Sequence, residues 1–175
     1  LVDKILASSK FNQGYDFGEV LEAALLDMKW HALSKDEAAA IDTPEKVSAY
    51  ETKSLKDLGL EIELVPPRYR TTYFNHIFSG PTGYSSGYYS YLWTQMLDRD
   101  SRAWFLENGG LTRANGDHYR DTVLSRGGTM DYGEMYRNFA NRDPDEQYML
   151  VALGLAEESI DDGPRIAGQP GDQGQ

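Results

Sequence analysis

Residues 74–93 read FNHIFSGPTGYSSGYYSYLW, a stretch that joins one of the chain's three histidines to a loop and four tyrosines. Gly80, Pro81 and Gly83 lie so close together that regular structure stops there, which predicts a tightly turned or mobile loop. The apolar residues at the end of the stretch predict that the chain then enters a helix. The pattern therefore places His76 beside a loop and a row of phenol groups.

The tyrosines after the loop have helical spacing. Tyr84, Tyr88, Tyr91 and Gln95 recur at i, i+4, i+7 and i+11, which predicts one shared helix face. Tyrosines are amphipathic and commonly fill half-buried positions, so one interpretation of this row is purely structural. In the other, their hydroxyls and His76 stabilise negative charge on a substrate oxygen while the loop closes over an extended ligand. A second, core-facing side of the helix would be formed by the apolar residues Tyr89, Leu92, Trp93 and Met96.

The segment 76–104 resembles a known peptidase segment. Its pattern GYxxGYYxYLWTQML is similar to the substrate-binding loop and following helix of the thimet oligopeptidase and peptidyl-dipeptidase family of zinc metallopeptidases. The bacterial peptidyl-dipeptidase (dipeptidyl carboxypeptidase) branch is the most similar. The resemblance covers about residues 1–155, and further segments resemble that branch in the same order: LVDKI (1–5), KFNQG (10–14), AALLDMKWH (23–31), GGLTRANG (109–116) and LSRGG (124–128).

The resemblance implies roles for individual residues. His76 aligns with the family's loop histidine and Tyr91 with the tyrosine beside the scissile carbonyl, so both are expected to be catalytic and to stabilise the oxyanion. Segment 79–83 has two more residues than the family's usual loop. The residues expected to bind and position the peptide are two tyrosines and two loop glycines: Tyr84, Tyr88, Gly80 and Gly83.

The zinc site of such peptidases is missing from the sequence. Zinc proteases of this type carry His-Glu-x-x-His on a helix, with two ligands one turn apart and a glutamate as general base. His31, His76 and His118 are widely separated and fit no such pattern. The resemblance implies that zinc is bound upstream of the region matched here. We therefore expect the carboxy-terminal part of a catalytic domain, inactive by itself.

Composition limits the other possibilities. The 175 residues suffice for one domain, and 40% hydrophobic with 26% charged residues is ordinary for a soluble globular protein. A net charge of −11 argues against nucleic acid, since phosphate binding needs a basic face. The chain lacks cysteine and any apolar run long enough to span a membrane. By resemblance, the expected partners are short peptides and the upstream part of the catalytic domain, and the expected location is cytoplasmic. Exposed apolar surface also makes self-association an expectation.

The fold predicted from local patterns is all-α: a multi-helix unit that forms a carboxy-terminal portion of a larger, mostly helical metallopeptidase domain. Thr43, Pro44 and Glu45 are a strong helix start, and Gly59 a natural stop. Residues 38–42 are predicted to be a connector, and 60–64 an extended loop. The helical part should span 1–155 with its substrate-binding loop at 76–91, followed by a disordered acidic Gly/Pro-rich tail at 156–175. Helices are predicted at 1–9, 16–33, 43–58, 84–108, 115–124, 131–140 and 143–153, the last with a capping box from Asp143.

Several alternatives stay open. Arg68 and Arg70 can bind a substrate carboxylate, although pairing with acidic residues of this chain is the favoured interpretation. His31 is expected to be structural rather than a metal ligand, because a metal site needs converging partners. For the whole chain, the main alternative to a peptidase portion is a non-catalytic helical peptide-binding or interaction module. A self-contained metalloenzyme is disfavoured by the histidine spacing.

Overall fold

The structure is a computed structural model that describes residues 1–80 and 83–157. No strand occurs within these residues, where only Ile62 and Val65 form an isolated bridge, so the predicted all-α class is confirmed. Thr71–Tyr73 and Asn75–Ile77 form short 3-10 turns, and Arg120–Leu124 forms a π turn. The helices are α1 (Val2–Ser8), α2 (Gln13–His31), α3 (Lys35–Ala40), α4 (Pro44–Asp57), α5 (Ser90–Glu107), α6 (Arg113–Tyr119), α7 (Tyr132–Ala140) and α8 (Gln147–Leu153).

The described residues form two compact units, one over residues 1–94 and one that begins at residue 95. The core of the first unit is a cluster of Ala23, Phe74, Ile77 and Tyr88. The core of the second unit is formed by three buried residues of α7: Tyr136, Phe139 and Ala140. Partly buried hydrophobic residues pack against them: Leu97, Trp104, Phe105, Tyr119 and Val123. The predicted tail lies outside the described residues from 158 onward, so the 1–155 and 156–175 division stays a prediction.

Local capping signals explain several helix boundaries. The Thr43 hydroxyl accepts from the backbone N–H of Lys46 at 3.4 Å, and Pro44 occupies the first position of α4. The helix ends at Asp57, and Gly59 follows with a positive φ of 71°, a conformation that L side chains rarely adopt. The predicted start and stop of this helix are therefore confirmed.

A short helix replaces the predicted connector at 38–42. Ser34 and Glu37 form a capping box, in which the Glu37 N–H donates to Ser34 Oγ at 3.3 Å and the Ser34 N–H donates to Glu37 Oε2 at 2.8 Å. These two bonds satisfy amides that would otherwise be unpaired, so α3 starts at Lys35. The Ser-x-x-Glu spacing was visible in the sequence, and the prediction of a connector was wrong for residues 38–40, whereas residues 41 and 42 do connect α3 to α4.

The tyrosine stretch is not helical before Ser90. Residues 85–89 form turns, so Tyr84 and Tyr88 do not share a helix face with Tyr91, contrary to the prediction. The predicted core-facing side is also wrong in part, because Trp93 is 52% exposed although Met96 is buried. The physical reason for the missing helical turns is that the amides of Ser86 and Tyr88 donate to the buried side chain of Asp27 instead of to preceding carbonyls.

Helical spacing predicts that Met28 lies on the buried side of the helix at 16–33 and Leu124 on that of the helix at 115–124, and the structure differs at both. On α2, Met28 is exposed, whereas Leu26 and the charged Asp27 are fully buried. Leu124, predicted to be buried, is 65% exposed at the end of the π turn. A π turn shifts the following side chains relative to an α-helix, so the helical spacing fails there.

The last helix starts later than its capping signal predicted. Asp143 does not cap it; its carboxylate instead accepts from Arg137 Nη1 at 2.8 Å. The N-cap residue is Glu146, whose side chain makes no capping bond, and Oδ1 of the preceding Asp145 accepts from the Gln147 N–H at 2.9 Å. The predicted end at Leu153 is confirmed.

A buried ion pair holds the second unit. Asp100 on α5 is fully buried. Its carboxylate accepts hydrogen bonds from both terminal guanidinium nitrogens of Arg142, Nη1 at 2.9 Å and Nη2. The Asp145 N–H donates to the same carboxylate at 2.8 Å. The Arg142 guanidinium also lies 5.0 Å from the ring centre of Tyr148. Both carboxylate oxygens of Asp100 therefore have partners within the unit.

We predict that Asp100→Asn destabilises the chain by about 3–5 kcal/mol, since Arg142 would stay largely buried without its counter-charge. The control is Asp42→Asn, which breaks the exposed Lys46–Asp42 pair (2.6 Å) and should cost less than about 1 kcal/mol. Urea unfolding followed by circular dichroism gives both values. Equal losses for the two variants would contradict the assignment.

Candidate functional site

His76, Tyr84, Tyr88 and Tyr91 contact one another through their rings, although residues 85–89 form turns and not the predicted helix. The ring centres of His76 and Tyr88 are 5.5 Å apart, those of His76 and Tyr84 are 6.2 Å apart, and those of Tyr88 and Tyr91 are 5.1 Å apart. These contacts form a continuous group that includes two further rings and that we name the tyrosine cluster: Tyr69, Phe74, His76, Tyr84, Tyr88 and Tyr91.

The cluster has a buried base and an exposed rim. Phe74 is fully buried and Tyr88 is 8% exposed, so both belong to the core of the first unit. Tyr84 and Tyr91 are 67% and 62% exposed. Tyr91 lies in the first turn of α5, whereas Tyr84 precedes the turn segment. The arrangement can therefore present phenol hydroxyls to a ligand in solution while its base stays packed.

The buried phenol at the base stays protonated. Burial, and then its interaction with the Tyr69 hydroxyl, raises the pKa of Tyr88 well above its ordinary value. The same contact with Tyr88, together with Arg68, lowers the pKa of Tyr69. Tyr88 is thus a neutral hydrogen-bond donor at physiological pH, with its ring fixed between Tyr69 and Tyr91.

The loop between His76 and Tyr84 is closed by its own backbone. The His76 carbonyl accepts from the Tyr84 N–H at 3.1 Å and from Ser79 Oγ at 2.9 Å. The Gly83 N–H donates to the Gly80 carbonyl at 2.9 Å. A side chain at Gly83 would collide with Ser79 and the Gly80 carbonyl, and Gly80 has a φ of 95°. Both glycines are required by the turn, and their predicted contact with substrate stays a prediction.

Sequence reasoning missed Asp27 as part of this site. Its side chain is fully buried, and its two oxygens accept from the backbone amides of Ser86 and Tyr88, each at 2.9 Å. His31 Nδ1 lies 2.8 Å from Asp27 Oδ1. A signal for this role was present, because Asp27 and His31 are four apart on α2 and Asp27 interrupts an apolar run.

The arginines before the cluster pair with acidic residues, as the favoured interpretation predicted. Arg70 Nη1 donates to Glu51 at 2.9 Å, and Glu51 also accepts the Thr71 N–H at 2.6 Å. Arg68 Nη1 lies 3.4 Å from Glu19. Their alternative role, binding a substrate carboxylate, has no support from these contacts.

The other histidines have structural contacts. His31 lies against Asp27, and His118 Nε2 lies 2.9 Å from the Phe139 carbonyl with its ring stacked on Trp104. Across residues 1–80 and 83–157, no three or more His, Asp or Glu side chains are grouped so that they could hold a metal ion. The described part of the chain therefore does not fit a zinc centre. Within the same residues, no helix has the length and apolar character needed to cross a bilayer.

We predict a pH signature for Tyr88. Its raised pKa means that the folded state holds the phenolic proton more tightly, a contribution that is present below pH 10.0, the ordinary value, and is lost as the pH rises through the folded value. The free energy of unfolding should therefore fall more steeply above pH 10 in the wild type than in Tyr88→Phe. Denaturant titrations at several pH values test this, with Tyr89→Phe as the control for loss of an exposed phenol. Parallel curves for wild type and Tyr88→Phe would contradict the burial argument.

Comparison with known proteins identifies the family of the chain. Residues 1–155 match the family described as Peptidase family M3. The chain is 45% identical over 155 residues to the dipeptidyl carboxypeptidases of Escherichia coli (strain K12) and Salmonella typhimurium, and 31% identical over 158 residues to oligopeptidase A of Salmonella typhimurium. Each alignment covers 89% of this chain but 22% of the relative, so the chain spans about a fifth of their length. Because the match includes both the helices and the tyrosine cluster, the chain belongs to peptidase family M3.

Proposed function

We propose that this chain is the carboxy-terminal, substrate-binding portion of a zinc-dependent peptidyl-dipeptidase or oligopeptidase that hydrolyses short peptides. The observation that carries the proposal is the continuous series of ring contacts that joins Tyr84, His76, Tyr88 and Tyr91. Membership of a peptidase family and 45% identity to a protein named dipeptidyl carboxypeptidase support it. Release of carboxy-terminal dipeptides rests on that relative's name.

The exposed tyrosine nearest the helix is suited to transition-state stabilisation. Tyr91 presents a phenol on the first turn of α5, with its ring held 5.1 Å from Tyr88. A positioned O–H donor lowers the cost of negative charge on a tetrahedral intermediate by a few kcal/mol. His76, half-buried with its ring centre 5.5 Å from that of Tyr88, supplies the second donor.

The remaining cluster residues would bind the peptide chain. Tyr84 is exposed at the end of the loop, while buried Tyr88 keeps its neighbours in place. A ligand can approach Gly80 closely. Apart from its chain neighbours, no atom of the described residues lies within 4 Å of the place where a Cβ would be. An extended peptide can therefore come close to the Gly80 backbone. Binding by backbone approach suits an enzyme that accepts many short peptides.

We propose that zinc, which supplies the Lewis acid in such enzymes, is held by the part of the protein outside this chain. The described residues do not fit a zinc site, so no catalytic step is assigned to a metal here. The proposed role of this chain is limited to binding the peptide and donating hydrogen bonds to it.

The first helix offers a surface for the upstream part of the catalytic domain. The apolar residues of α1 are exposed, Leu1 and Val2 at 92% and 68%, and Phe11 beyond it at 78%. Exposed apolar groups in sequence favour burial against a partner. We propose that the rest of the catalytic domain covers them, and that the isolated chain self-associates through them. A cytoplasmic location is also proposed, and fractionation of the source cells tests it.

A second candidate is a helical module that binds peptides without chemistry. It is favoured by one observation: the tyrosine cluster is complete within the first unit, although the described residues hold no metal set. Such a module would bind peptides and leave them uncut.

We predict that Tyr91→Phe in the complete protein lowers kcat by about 10²–10³-fold with a smaller change in KM, since the hydroxyl acts on the transition state. Tyr89→Phe is the matched control, because Tyr89 is a neighbouring phenol at 52% exposure outside the cluster. Steady-state kinetics on a short peptide measures both. Unchanged kcat in Tyr91→Phe would refute the assigned role.

The metal proposal gives a separate prediction. The complete protein should lose peptide hydrolysis on treatment with 1,10-phenanthroline and regain it with added zinc. The isolated chain, titrated with zinc by calorimetry, should show no stoichiometric binding. Chelator-resistant hydrolysis would overturn the zinc proposal, and intact peptides after incubation with the complete protein would favour the binding module.

A further inference from the structure

A buried carboxylate contacts the tyrosine stretch from a distant part of the sequence. Asp27 lies near the end of α2, and both of its oxygens accept backbone amides, from Ser86 and Tyr88 at 2.9 Å each. The two amides flank Gly87 and lie between Tyr84 and Tyr91 in the chain. Both hydrogen bonds come from one fully buried side chain, so this anchor fixes the backbone on either side of Gly87.

The turn held by Asp27 contains an unfavourable backbone conformation. Ser86 has a φ of 54°, a left-handed conformation that is unfavourable for a non-glycine residue. Its amide is one of the two that donate to Asp27. The strained residue and its anchor therefore occur at the same place, and the hydrogen bond offsets the strain.

The same end of α2 contacts the stretch before the loop. The Phe78 ring lies 5.5 Å from His31 and 6.1 Å from Trp30, between ring centres. Trp30 Nε1 also donates to Thr71 Oγ1 at 2.9 Å. The residues before and after the Gly-rich loop thus both contact the last two turns of α2, which also carry the Asp27–His31 pair.

We infer that Asp27 is a positioning residue for the tyrosine cluster. It holds the backbone of Tyr88, and through that backbone it sets the ring contacts of Tyr88 with His76 and Tyr91. Asp27 itself is fully buried and touches no substrate. The structural part of the inference stands on these contacts alone, while its kinetic consequence rests on the proposed function.

The structural part is tested by amide hydrogen exchange in the isolated chain. In Asp27→Asn, one carboxylate oxygen becomes an amide nitrogen that cannot accept, so at least one of the Ser86 and Tyr88 amides loses its acceptor, and its exchange should accelerate about 10- to 100-fold. The matched control is Glu51→Gln, because Glu51 is also buried and also accepts a loop amide, that of Thr71. It should accelerate Thr71 and leave Ser86 and Tyr88 unchanged. Unchanged exchange of Ser86 and Tyr88 in Asp27→Asn overturns the inference.

If Asp27→Asn does not fold, the hydrogen bonds of Asp27 can be tested in the wild-type chain by NMR. Scalar couplings transmitted across the hydrogen bonds, from the amide nitrogens of Ser86 and Tyr88 to the Asp27 carboxyl carbon, should be measurable by NMR. Their presence supports the anchor, and their absence overturns it.

The kinetic part is tested by a double-mutant cycle in the complete protein. If Asp27 acts through the cluster, Asp27→Asn should lower kcat more than it changes KM, and Tyr91→Phe should have a smaller effect in that background than in wild type. Additive effects would show that Asp27 is only structural and would overturn the inference. If Tyr91→Phe has no effect even in wild type, the proposed function of Tyr91 fails, and the exchange result still decides the role of Asp27.

Discussion

The carboxylate of Asp27 is the constraint on which the candidate site depends. It joins a helix near the start of the chain to backbone amides 59 and 61 residues later. Without those bonds, residues 85–89 would have to find other partners for two amides, and burying unpaired amides is costly. The rings of Tyr88 and its neighbours are packed against the backbone that Asp27 fixes.

The chain uses the same device elsewhere. Glu51 on α4 binds Arg70 and the Thr71 amide, and Asp100 on α5 binds Arg142 and the Asp145 amide. Each is a buried carboxylate that accepts a backbone amide from a loop and is balanced by a cationic or imidazole side chain. Because the described residues form no sheet, loops lack strand partners for their amides, and an inward-facing carboxylate provides a fixed acceptor.

Burial divides the tyrosines by role. Tyr88 is a core residue with a raised pKa, and it holds the rings around it. Tyr84 and Tyr91 keep most of their surface in solvent, where a ligand can reach the hydroxyls. A rigid base with an accessible rim is the arrangement expected when donors must be positioned before the substrate arrives. The chain belongs to a peptidase family and spans about a fifth of the length of the relatives that it matches.

Local sequence determined the helices whose ends carry their own signals, such as α4 between Thr43 and Gly59, because a cap depends only on residues within one turn. The resemblance to a peptidase family named His76, Tyr84, Tyr88 and Tyr91, and the structure brings them together. Only the tertiary structure decided the form of the stretch that carries them. Helical spacing predicted a helix, but the amides of Ser86 and Tyr88 donate to Asp27, and a partner some sixty residues away leaves no periodic trace in the local sequence.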